Sequence, residues 1–110
     1  MSNLKIIELN KLKPIQNTVL AHRLDYYNLL DTIPPPEVWK INDLFYIGDG
    51  HHRIFNFYQR NNSKIRVLVH SKTNWAFSTL EYQSIAQEIL NQAKKVQKEN
   101  IFFINQLKVI

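Results

Sequence analysis

Eight consecutive residues, Tyr46-Ile47-Gly48-Asp49-Gly50-His51-His52-Arg53, hold both glycines of the chain, two of its four histidines, a carboxylate and an arginine. The apolar lead-in reads as the end of a strand, the glycines bound a turn, and the following residues read as the first turn of a helix. Glycine serves where φ is positive or where backbone must approach a ligand closely. A helix start exposes unpaired N–H groups at the positive end of the helix dipole. With Arg53 as a planar fork and His52 as a further donor, this chemistry suits an anion, above all a phosphate. His51 and His52 titrate near neutrality and are candidates for general acid–base work, and Asp49 is a candidate anchor for a metal carried in with phosphates. Against this stands a plain geometric turn with its basic residues in solvent.

Two other chemistries are weaker. Asp49, His51 and His52 are metal-ligand types, but neighbours at a helix start point apart. A protein-only metal site would need His22, His70, Asp25 or Glu37 from elsewhere, and no zinc signature such as H-E-x-x-H is present. Nucleophilic catalysis lacks both a cysteine and a G-x-S-x-G elbow.

The turn needs a frame to hold it. Lys5-Ile6-Ile7-Glu8-Leu9 is a strand ended by Lys13-Pro14. Leu20, Leu24, Tyr27 and Leu30 recur at helical spacing, predicting a helix near 18–31 capped by Asn17 or Thr18, with His22, Arg23 and Asp25 on its solvated face. Ile33-Pro34-Pro35-Pro36 is a rigid connector. Val38-Trp39-Lys40-Ile41 and Leu44-Phe45-Tyr46-Ile47 flank Asn42-Asp43 as a hairpin that delivers the chain to the glycine turn. Ile54, Phe57 and Tyr58 form the apolar face of the next helix, closed by Asn61-Asn62, and Lys64 to His70 is a strand. Ser78-Thr79-Leu80-Glu81 is a capping box opening a helix to about Lys98, with Tyr82, Ile85, Ile89, Ala93 and Val96 on one face. Ile101 to Ile104 and Leu107 to Ile110 are apolar enough for a docked strand or a partner surface, including a homodimer. The order β, α, hairpin, glycine turn, α, β, α predicts an α+β fold, a small mixed sheet with surrounding helices. Residues 1–75 form the expected core, with the helix and tail of 76–110 packed on the same domain.

Composition bounds the partners. A chain of 110 residues is one domain. Absence of cysteine fits a cytoplasmic protein, and no run is long and apolar enough to span a membrane. A net charge of +5 favours polyanions, and Lys64, Arg66, Lys94, Lys95 and Lys98 are the candidate contacts to DNA or RNA. The three lysines equally suit the C-terminal dipole of their own helix.

The D-G-H-H-R turn resembles the signature of the ParB/sulfiredoxin superfamily, and so does its setting. The strand Ile6-Ile7-Glu8-Leu9 followed by Leu12-Lys13-Pro14, then a helix, a proline-led hairpin, the turn, a helix and the strand Ile65-Arg66-Val67-Leu68-Val69 follow the family order over about residues 4–70. The resemblance implies a nucleotide triphosphate, ATP or CTP with Mg, held at Gly50, His51, His52 and Arg53, with Asp49 near the metal. In chromosome-partition relatives the turn reads G-E-R-R and contacts CTP; in sulfiredoxins it reads G-C-H-R and carries the reactive cysteine. His51 stands at that cysteine's place, so sulfiredoxin chemistry is excluded. Partition activity would need a DNA-binding and a dimerisation domain beyond the one long helix that remains. Other relatives phosphorylate free serine or are labelled nucleases. The reading is nucleotide-phosphate binding, with hydrolysis or phosphoryl transfer through His51 and Asp49 as its enzymatic extension. The alternative is a ParB-like nuclease or nucleic-acid-binding module.

Overall fold

The structure is a computed structural model that describes residues 3–72 and 79–110. Its centre is a five-stranded mixed sheet in the order β1-β6-β4-β5-β2. These strands are β1 (Leu4–Glu8), β2 (Leu12–Lys13), β4 (Glu37–Ile41), β5 (Leu44–Asp49) and β6 (Lys64–His70). β1 is antiparallel to β6, β6 parallel to β4, β4 antiparallel to β5, and β5 parallel to β2. Three helices, α1 (Ala21–Asn28), α2 (His51–Gln59) and α3 (Thr79–Lys98), surround it. The expected α+β mixed-sheet class is the one observed.

Strand alternation divides the core into two layers. Val38, Ile47, Ile65, Val67 and Val69 pack with Leu24 of α1 and with Ile54 and Phe55 of α2. The intervening residues Trp39, Ile41 and Tyr46 face α3 through Tyr82, Ala86, Ile89 and Ala93. The hairpin closes through Asn42 and Asp43 at φ of 51° and 65°, the two left-handed residues a tight right-twisted hairpin requires. Gly48 lies within β5 because a Cβ there would meet the Trp39 indole at 2.6 Å. Asn61, at φ 63°, turns the chain out of α2 as expected.

Three expectations are corrected. The first helix spans Ala21–Asn28 rather than 18–31, and neither Asn17 nor Thr18 caps it. Thr18–Val19 is instead a strand, β3, paired in parallel with β7 (Lys108–Val109). The Ala21 N–H is met by the Ile110 carbonyl at 2.7 Å. A β-branched pair with a distant partner thus outcompetes the continuation of a helix. On α2 the buried face is His51, His52, Ile54, Phe55 and Asn56, while Tyr58 is exposed. The tail docks: Ile101, Ile104 and Leu107 are buried in the first layer, with Val96.

The capping box expected at 78–81 begins outside the described residues, and so does the expected division at residue 75. Among the described residues no helix is long and apolar enough to cross a membrane.

Candidate phosphate site at the start of α2

Strand β5 ends at Asp49 and helix α2 begins at His51, so Gly50 alone makes the turn between them. Its φ is 110°, a conformation that L side chains rarely adopt. A Cβ there would also stand 2.7 Å from the Pro36 side chain and 3.0 Å from Arg53 Nε. Gly50→Ala is expected to destabilise the fold by about 1–3 kcal/mol, the scale of one strained backbone residue. Urea unfolding measures it; an unchanged midpoint would show that the turn relaxes without the glycine.

No side chain caps α2. Its first intrahelical bond runs from the Ile54 N–H to the Gly50 carbonyl at 3.0 Å, so the N–H groups of His51, His52 and Arg53 have no acceptor within the helix. They border a cavity of about 100 Å³ lined by Gln16, Arg23, Tyr27 and the run from Gly48 to Arg53. A space of this size admits a small anion such as a phosphoryl group.

Arg53 forms the floor. Its Nη2 donates to Asp49 Oδ2 at 2.8 Å, and Nη1 reaches the carbonyls of Pro34 and Pro35 at 3.3 and 3.4 Å. The polyproline connector is thereby tied to the site. Asp49 is mostly exposed, whereas Arg53 is largely covered. Arg53 Nε is buried beside Gly50 and has no acceptor among the described residues.

The two histidines are placed otherwise than a solvent-facing acid–base pair. His51 Nε2 accepts the Ile15 N–H at 2.9 Å, and His52 Nε2 accepts the Leu20 N–H at 3.0 Å. Both rings are buried. Each is therefore a neutral acceptor with its proton on Nδ1. Burial, and then repulsion from the neighbouring His52 ring whenever that ring is protonated, pushes the His51 pKa down to about 3. Burial, then the charges of Arg23 and His22, lowers that of His52. The rings pin the segment 15–20, from which Gln16 lines the cavity.

Arg23 is the residue that sequence reasoning missed. It is exposed on α1, as its place off the apolar stripe implies, yet it lines the cavity and acts electrostatically on His52. Its i,i+4 relation to Tyr27, which lines the same cavity, was the available signal. His22, Asp25 and Glu37 do not line it. Glu37 instead pairs with His70 at 2.8 Å, and that ring stacks on Trp39. Among the described residues no three His, Asp or Glu side chains gather to hold a metal ion. Lys64 and Arg66 are exposed on β6, and Lys94, Lys95 and Lys98 on α3.

No protein-family model matches the sequence, and no curated protein matches it. Solved structures do. The chain is similar to the protein Atu1540 from Agrobacterium tumefaciens, with a TM-score of 0.61 at 14% identity, over 96% of this chain and 61% of that one. A conserved hypothetical protein from Pyrococcus furiosus is similar with a TM-score of 0.55 at 22% identity, over 64% of this chain and 33% of that one. A free serine kinase in complex with AMP is similar with a TM-score of 0.54 at 21% identity, over 63% of this chain and 31% of that one. These likenesses show a shared fold. The chain spans 61% of the first of these proteins and about a third of each of the others. Fold and site together define an α+β protein with a small basic cavity at an uncapped helix start.

Proposed function

We propose that this chain is a ParB/sulfiredoxin-like protein that binds a nucleotide through its phosphates at the start of α2. The observation that carries the reading is that Arg23, Arg53 and the uncapped start of α2, with its three N–H groups unpaired within the helix, line one small cavity. Gly50 lets the backbone approach the anion, Arg53 and the N–H groups of His51 to Arg53 hold it, and Arg23 closes the outer wall. The similarity in fold to a protein solved with AMP supports this reading.

The residues fit a nucleotide that brings its own divalent cation. Asp49 is the exposed carboxylate beside the cradle, and once phosphate takes over Arg53 it is free to hold Mg. If phosphoryl transfer or hydrolysis follows, Asp49 is the group placed to take a proton. The geometry of His51, buried and already accepting a backbone N–H, favours its holding the cavity wall over proton transfer.

Calorimetric titration with AMP, ATP and CTP, each with and without Mg, tests the reading. At least one nucleotide is expected to bind, with the triphosphates strengthened by Mg. Absence of binding by all three, together with retention of DNA or RNA in a gel assay that weakens with salt, would replace it by the nucleic-acid reading.

A further inference from the structure

We infer that Asn56, acting with Asn28 and Arg60, docks α1 onto α2 and thereby sets where Arg23 and Tyr27 stand in the cavity. The inference rests on the phosphate reading of that cavity and assigns the residues that build its outer wall.

Asn56 is fully buried in the middle of α2. Its Nδ2 donates to Asn28 Oδ1 at 2.7 Å. The same oxygen accepts Arg60 Nη2 at 3.2 Å, and that nitrogen also reaches the Tyr27 carbonyl at 3.4 Å. The last turn of α1 is therefore held by two side chains four residues apart, Asn56 within α2 and Arg60 immediately after its end.

The start of α1 is tied separately, by the Leu20 N–H on His52 Nε2 and the Ala21 N–H on the Ile110 carbonyl, and the polar tie holds its other end. Of its eight residues only Leu24 is buried, and no side chain caps its start. One leucine is a small apolar anchor for an ordered helix, so with the start fixed by backbone bonds the polar tie at the last turn sets its rotation. Leu24 and Asn28 are i,i+4 neighbours and face α2. Arg23 and Tyr27 form the adjacent i,i+4 pair, and it is this pair that lines the cavity. Fixing the first pair aims the second.

Asn56 is also poorly suited to be mere packing. Its Oδ1 is buried with no hydrogen-bond partner among the described residues, which an apolar side chain of similar size would avoid. The amide is explained by what its other end holds. Asn56, Asn28 and Arg60 are positioning residues, acting on the ligand through α1.

Asn28 is exposed, so Asn28→Ala removes the acceptor without opening a core cavity. Hydrogen exchange and calorimetry with AMP are measured on wild type, Asn28→Ala, Asn28→Asp, Arg23→Ala and the double variant Asn28→Ala/Arg23→Ala. Amides of α1 are expected to exchange faster in Asn28→Ala while those of β6 are unchanged. AMP affinity should fall about fivefold, the factor corresponding to about 1 kcal/mol. Asn28→Asp keeps an acceptor for both donors and should restore both readouts. In the Arg23→Ala background Asn28→Ala should lose most of its effect on affinity, because the group it aims is gone.

Unchanged α1 exchange in Asn28→Ala overturns the inference whatever the protein binds. Full, additive losses from Asn28→Ala and Arg23→Ala overturn it while leaving the phosphate site standing. Failure of wild type to bind AMP, with α1 exchange still responding to Asn28→Ala, overturns the reading of the site instead and reduces the tie to a contact of the fold.

Discussion

Arg53→Ala is expected to weaken nucleotide binding at least tenfold, a loss of about 1.4 kcal/mol or more. Arg53 is the floor of the cavity, and its fork is pre-set by Asp49 on one side and by the Pro34 and Pro35 carbonyls on the other. A phosphate would offer the Arg53 fork its own oxygens in exchange for the exposed Asp49 carboxylate. Arg53→Lys keeps the charge and loses the bidentate geometry, so it should recover only part of the affinity. Because the same side chain ties the connector at residues 34–35 to α2, Arg53→Ala should also lower the unfolding midpoint. Titration is therefore made well below that midpoint. Wild-type affinity in folded Arg53→Ala would remove Arg53 from the site.

The second large effect is on acid stability. His51 in the fold takes up a proton only near pH 3, whereas the unfolded ring does so near 6.5. Between these values the unfolded chain binds the extra proton, so stability rises with pH across the window and falls on acidification. Above pH 6.5 the full contribution of the neutral ring is present. From pH 6.5 to 4.5 the His51 share of the loss is about 2–3 kcal/mol, at roughly 1.4 kcal/mol per unit. His52 adds to the loss in the same direction, its pKa being lowered by burial and by the charges of Arg23 and His22. This upper part of the window separates the histidines from the carboxylates, which titrate mostly below it at about 4. Urea unfolding at pH 7, 5.5 and 4.5 measures the slope. His51→Gln keeps a side-chain oxygen for the Ile15 N–H and cannot titrate, so its slope should be clearly shallower than that of wild type. A slope identical to wild type would mean that His51 is not the buried neutral acceptor.

The same two rings show how far a sequence reaches. That 46–53 is a strand end, a glycine turn and a helix start was legible, because glycine spacing and apolar runs act through the local backbone. So were the hairpin at Asn42-Asp43, the strand at Lys64–His70 and the apolar stripe of α3, whose periods are written in neighbouring residues. What His51 and His52 do was not legible. Their partners, the N–H groups of Ile15 and Leu20, lie 36 and 32 positions away. Adjacent histidines beside an arginine look like solvent-facing chemistry, and burial with the backbone N–H groups of segment 15–20 as donors turns them into neutral latches.

Helix α1 makes the same point from the other side. Its apolar spacing announced a helix but overran its start, since nothing in Thr18–Val19 says that Lys108–Val109 will pair with it. Its polar face read as solvated, and Arg23 is indeed exposed, yet Arg23 and Tyr27 line the cavity at the start of α2.

The sequence by itself determined the glycine turn, the main sheet strands and helices, and the basic character of the start of α2, all consequences of interactions within a few residues. Only the tertiary structure decided which basic groups line the cavity there and which hold its wall. Those roles depend on burial and on hydrogen bonds between segments far apart in the chain, and no local pattern carries them.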